Sequence, residues 1–279
     1  MRIPGSQWTL KAACVTCLVF TTACVKVDAS ERLLKLQEGC DRGYGAVCTQ
    51  LGGIYYRGDG VVEDGARAAE YFGLGCERGD TWGCINLGLS LEMGLGIEMD
   101  AGRAAELYEK ACDAGNGDGC YKLGAMYDEM GPQSHRDVVM ATRSYERACT
   151  QGFQPGCVRL ADTYRVRGNL GGGDSEKAAR LYDKACEANV PFACLARASM
   201  YQEGETTEVD ADRAQALVDT AIEMLEEKCV AGEPAQCMLL GMVYDEGVVV
   251  PSDRLRAESY YARSCEQGNE LACEWVRRP

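Results

Sequence analysis

Fourteen of the 17 cysteines stand in seven C-x7-C pairs: Cys40/Cys48, Cys76/Cys84, Cys112/Cys120, Cys149/Cys157, Cys186/Cys194, Cys229/Cys237 and Cys265/Cys273. From one pair to the next the offsets are 36, 36, 37, 37, 43 and 36 residues. Self-similarity at a period of roughly 20–50 residues specifies a repeat architecture, in which each unit buries its apolar face only against its neighbours.

Each unit reads as two helices. Cys48, Leu51, Gly52 and Tyr55 fall at i, i+3, i+4 and i+7, one helical face, and Cys120, Leu123, Gly124 and Tyr127 repeat the pattern, as do Cys237, Leu240, Gly241 and Tyr244. A Gly-rich breaker follows, such as Gly58-Asp59-Gly60. Then comes an aspartate suited to N-capping the second helix: Asp64, Asp100, Asp137, Asp174, Asp210 or Asp253. Four residues on stands an alanine (Ala68, Ala104, Ala141, Ala178, Ala214, Ala257), and then bulky pairs such as Leu107-Tyr108, Leu181-Tyr182 and Tyr260-Tyr261 lead to the next first cysteine. Three residues past that cysteine stands Gly43, Gly79, Gly115, Gly152, Asn189, Gly232 or Gly268, the residue types that end a helix in the left-handed conformation. The fifth unit carries seven extra residues, close to two helical turns, so Cys229 is expected back on the same face. It also has Arg197 where leucine is usual, which makes it a place for a bend or a contact.

In every pair one cysteine ends a helix and the other opens the next across a short turn, which suits a disulfide. Free buried thiols and zinc ligation are the competing readings, but zinc sites favour C-x2-4-C spacing. The remaining cysteines, Cys14, Cys17 and Cys24, belong to an N-terminal stretch with Arg2 and Lys11 ahead of the apolar run Ala12 to Ala23, the pattern of a secretory signal peptide. Residues 1–23 are expected to be a lipoprotein-type signal cut before a lipidated Cys24, because Thr21-Thr22-Ala23-Cys24 resembles a lipoprotein box; an ordinary cut after Ala29 is the alternative. Residues 24–39 are then a short segment with a half-repeat cap, 40–273 six repeats, and 274–279 a C-terminal cap. The expected location is the periplasm or outer membrane, or alternatively outside the cell, with the membrane met only through the lipid.

The unit C-x2-L-G-x3-Y-x2-G-x-G-V-x3-D-x2-R-A-A-x2-Y-x3-C resembles the Sel-one-like repeat, a relative of the tetratricopeptide repeat, and Glu106 to Tyr127 is similar to the Helicobacter cysteine-rich proteins. The resemblance implies an all-α fold, a right-handed α-solenoid of helix-turn-helix repeats, each clamped by a C-x7-C disulfide. It also implies a scaffold or adaptor role, and, from the cysteine-rich branch, the alternative of β-lactam binding and hydrolysis.

The residues speak against catalysis. No serine begins an S-x-x-K motif and there is no K-T-G, so the usual serine β-lactamase apparatus is missing. The single histidine, His135, reads as a solvated residue of the turn before Asp137, and one histidine cannot supply a metal cluster. No metal or cofactor is expected. A formal charge of −14 disfavours nucleic acid, and acids such as Glu63, Glu70 and Glu77 read as solvation. The expected working surface is the concave groove lined by first helices. It would take a protein or peptide, with Asn86, Ser90, Lys122, Met126, Arg159, Thr163 and Met242 as the candidate contacts, and Met126, Met130 and Met242 as an adaptable cluster.

Overall fold

The computed structural model describes residues 31–129, 135–169, 174–206, 208–247 and 249–276. The export segment, with Cys14, Cys17, Cys24 and Ala29, lies outside the described residues, and so does Met130. Every regular element among the described residues is a helix. They run as α1 (31–41), α2 (Gly45–Arg57), α3 (Gly65–Glu77), α4 (Thr81–Met93), α5 (Ala101–Asp113), α6 (Gly117–Glu129) and α7 (His135–Thr150). They continue as α8 (Gln154–Asn169), α9 (Ser175–Glu187), α10 (Pro191–Glu203), α11 (Ala211–Val230), α12 (Pro234–Glu246), α13 (Arg254–Glu266) and α14 (Glu270–Val276). The helices form two compact units that divide within α6, after Met126. In the first, α2 packs on α3, α3 on α4 and α4 on α5; in the second, each helix from α7 to α14 packs on the next. Stacking of sequence neighbours is the arrangement of an α-solenoid.

Seven disulfides join Cys40–Cys48, Cys76–Cys84, Cys112–Cys120, Cys149–Cys157, Cys186–Cys194, Cys229–Cys237 and Cys265–Cys273. Each ties the end of a second helix to the start of the next first helix. The turn between them is set by a left-handed residue, glycine throughout except Asn189 (φ 61°).

The D-x2-R signature acquires a physical role. Asp64, Asp100, Asp174, Asp210 and Asp253 each accept the amide of the residue three further on, at 2.9–3.1 Å, which satisfies an orphan donor of the helix start. The amides of Asp64, Asp100 and Asp253 donate back to Tyr55, Leu91 and Tyr244 in the preceding helix, each at 2.9 Å. The basic residue at +3 folds over that helix's tyrosine: Arg67 over Tyr55, Lys177 over Tyr164, Arg213 over Tyr201 and Arg256 over Tyr244. Such stacks contribute on the order of 0.5–1 kcal/mol at exposed sites. The third unit departs from expectation. Helix α7 begins at His135, so His135 is helical rather than a turn residue, and Asp137 lies inside the helix instead of preceding it. The sequence 135–138 continues the helical path for two residues before the aspartate.

Two glycines show what the small position is for. A Cβ on Gly88 would meet the Tyr108 ring at 2.7 Å, and one on Gly241 would meet Tyr261 at 2.5 Å. The first helix therefore lies directly on the aromatic of the second. Tyr108, Tyr145 and Tyr182 are fully buried, and their hydroxyls donate to carboxylates of the adjoining first helix: Glu92 at 2.6 Å, Asp128 at 3.3 Å and Asp162. Neighbouring repeats are also joined at their helix ends. Lys110 donates to the Cys76 carbonyl at 3.2 Å and Gln267 to the Cys229 carbonyl at 3.0 Å, so the last carbonyls of one second helix are satisfied from the next.

In the extended α11, Ala214, Val218, Ala221, Leu225 and Cys229 form one buried stripe. The seven added residues do return the cysteine to the core face. Arg197 is buried in α10, pairs with Asp183 at 2.9 Å and lies 3.9 Å from the centre of the Tyr201 ring.

Candidate functional site

The first helices of the second unit, α8, α10 and α12, line a cleft of about 330 Å³. Phe192, Leu195 and Ala196 come from α10, Leu239, Met242 and Val243 from α12, and Val249 from the loop beyond it. Their exposed part is unusual for a core: Phe192 is 46% exposed although it faces other apolar side chains. Asp162 and Arg165 of α8, Tyr182 of α9 and Glu246 of α12 form the polar wall.

That wall is preorganised. Asp162 accepts the Tyr182 hydroxyl and lies 3.5 Å from Arg159, which also pairs with Asp128. Arg165 is held by Glu205 at 2.7 Å and Glu203 at 3.2 Å, and donates to Ser199 at 3.0 Å. One carboxylate oxygen of Glu205 is buried without a hydrogen-bond partner. Burial, and then the Asp162 carboxylate, push the Tyr182 phenol up. At the end of α12, burial and the neighbouring Asp245 and Glu246 raise Tyr261 to about 12. Four carboxylates (Asp128, Asp162, Glu203, Glu205) thus pair with two guanidiniums, Arg159 and Arg165, and a fifth, Glu246, lines the same cleft, so acids outnumber bases there.

The candidate contacts read from the sequence fare differently. Met242 lines the cleft. Arg159 is half-exposed but engaged as a brace, its guanidinium 5.7 Å from the Tyr145 ring. Thr163 donates to the Arg159 carbonyl. Ser90 is a correction: it is buried and its hydroxyl donates to the Asn86 carbonyl one turn back at 2.9 Å, so it offers nothing to a ligand. Asn86, Lys122 and Met126 are partly buried and lie in the first unit, whereas Met242 lies in the second. Sequence reasoning missed Phe192, Leu195 and Glu246. Arg159 and Thr163 stand two and six residues after a second cysteine; the same register after Cys237 gives Leu239 and Val243, which do line the cleft.

Among the described residues no group of three or more His, Cys, Asp or Glu side chains could hold a metal ion, and no helix is long and apolar enough to cross a membrane.

The repeat register has an independent counterpart. The model of the Sel1 repeat matches residues 46–80, 83–116, 117–153, 155–190, 191–224 and 237–269. The chain belongs to the Sel1-repeat family. No curated protein matches it. Among solved structures, the Sel1-like protective antigen c5321 of uropathogenic Escherichia coli is 25% identical with a TM-score of 0.57, over 88% of this chain and 50% of that one. The chain thus spans about half the length of that antigen. A Sel1 repeat protein of Oxalobacter formigenes is 21% identical with a TM-score of 0.62, over 87% of this chain and 96% of that one, and shares the fold. Cysteine-rich protein B of Helicobacter pylori matches 52% of this chain and 98% of its own at 22% identity, with a TM-score of 0.32. This Sel1 chain is an α-helical repeat scaffold, and its disulfides point to an oxidising compartment.

Proposed function

We propose that this Sel1-repeat chain is an exported, disulfide-stabilised scaffold of the bacterial envelope that binds a protein or peptide partner through the first helices of its second unit. The observation that carries the reading is the cleft of α8, α10 and α12, where half-exposed Phe192 and partly exposed Leu239 and Met242 adjoin an ion-paired wall. Apolar side chains left accessible inside a polar rim are the usual composition of a recognition site. Export rests on the N-terminal pattern and on the seven disulfides, and anchoring on lipidation of Cys24.

A photoreactive amino acid placed at position 192 tests the site in living cells. A discrete adduct in the envelope fraction, lost on adding Met242→Lys and absent from the same probe at exposed position 258, supports it. Equal adducts from both positions would remove the cleft from consideration. Metabolic lipid labelling that persists in Cys24→Ala would overturn the anchor. Nitrocefin turnover or penicillin labelling of the purified oxidised chain would instead support the β-lactam alternative.

A further inference from the structure

The cleft carries a more specific reading, which rests on its being a partner site. We infer that it recognises a polypeptide segment in which an aliphatic or aromatic side chain is followed closely by lysine or arginine.

The argument begins with the ends of the first helices. A helix C-terminus carries partial negative charge, and cations stabilise it while carboxylates do not. Helix α12 nevertheless ends in Asp245-Glu246, and α10 in Glu203, with no basic residue in the last turn of either. Glu203 is neutralised by Arg165. No cation among the described residues pairs with Glu246, although it lines the cleft. Arg165 cannot serve it, because Glu205 and Glu203 already hold that guanidinium. Two unfavourable effects, the dipole and the excess of carboxylates, therefore converge on Glu246. A cation arriving there would relieve both.

The adjacent floor is apolar. Phe192, Leu239 and Met242 lie partly open beside Glu246 in the same cleft. The cleft's volume of about 330 Å³ is at the lower end for ligand pockets, which run about 300–1,000 Å³, and suits one or two side chains rather than a folded surface. Methionine adapts to either an aliphatic or an aromatic occupant. The rigid wall made by Asp162, Tyr182 and Arg165 fixes where the cation can go, because its own groups are already paired.

Three labelled pentadecapeptides on a Gly/Ser background, carrying Leu-Lys, Leu-Glu or Ser-Lys pairs, are titrated into the oxidised full chain and followed by fluorescence anisotropy. The Leu-Lys peptide is expected to bind at least tenfold more tightly than either other. Glu246→Gln should weaken it three- to tenfold and flatten its salt dependence, and Met242→Lys should abolish it while leaving the circular dichroism spectrum unchanged. Equal binding of Leu-Lys and Leu-Glu would overturn the charge preference yet keep the cleft as an apolar site. Equal binding of Ser-Lys and Leu-Lys would reduce the effect to general attraction by an acidic chain and overturn the proposal. Failure of all three peptides to bind folded protein would remove the partner-site reading itself. So would a concentration-dependent dimer in sedimentation that Met242→Lys dissociates, since a second copy would then be the occupant.

Discussion

The Tyr182 hydroxyl donates to the Asp162 carboxylate, joining the second helix of one repeat to the first helix that precedes it and forming part of the cleft wall. Tyr182→Phe keeps the ring and its packing but leaves Asp162 with only its longer contact to Arg159. A hydrogen bond to a charged group contributes on the order of 1.5–3 kcal/mol, so Tyr182→Phe should lower stability by about that amount. Hydrogen exchange should locate the loss in α8 and α9, and protection unchanged in those helices would refute the assignment.

Gly241 is required by the approach of α12 to Tyr261. Adding one methyl places a Cβ 2.5 Å from the ring, and overpacking of this kind costs roughly 1–3 kcal/mol. Gly241→Ala should shift the urea midpoint down accordingly. Combining it with Tyr261→Leu should cost less than the two changes summed, because the clash disappears with the ring; strict additivity would argue against the contact.

Asp210 starts the longest of the described helices and accepts the Arg213 amide at 3.0 Å. Asp210→Ala should destabilise by about 1 kcal/mol, while Asp210→Asn, still a good cap, should be close to neutral. Equal losses in thermal melts of the two variants would indicate that the side chain matters for its charge rather than its cap.

Alkaline pH should act through buried phenols. Burial first, assisted by Asp128 and opposed by Arg159, lifts Tyr145 to about 12; burial and then Glu226 lift Tyr260 to about 12; and Tyr261 rises likewise. A phenol whose folded pKa is raised stays protonated when the unfolded chain has already lost its proton. Stability from these groups is thus intact below about pH 10 and declines between pH 10 and about 12. Absorbance at 295 nm should show these tyrosines ionising after the exposed ones, and Tyr145→Phe should remove one from the late group. Ionisation of all tyrosines in a single early step would contradict the burial.

How much of this was legible in the residues depended on whether an interaction is repeated. Helix pairs, caps and stops recur at fixed offsets from each cysteine, so one unit explains the others, and even Asn189 could be recognised as a substitute for glycine. The third unit broke the pattern because its helix starts ahead of Asp137. The cleft was less legible because it is not periodic. Phe192 and Glu246 occupy surface positions that vary from unit to unit, and only stacking shows that they line one cleft. Ser90 was misplaced for a related reason: a serine on a first helix can turn its hydroxyl to its own backbone, and sequence does not reveal which way it turns.

Each disulfide spans a sequence separation of eight residues. Within each of these pairs the second cysteine is therefore the next to emerge after the first, and none of the seven bonds waits for a distant segment. Oxidation in simple chain order yields the native pairing, with no later shuffling among fourteen thiols required. The same locality makes the array modular in descent, since a whole unit can be duplicated or lost without stranding a single sulfur.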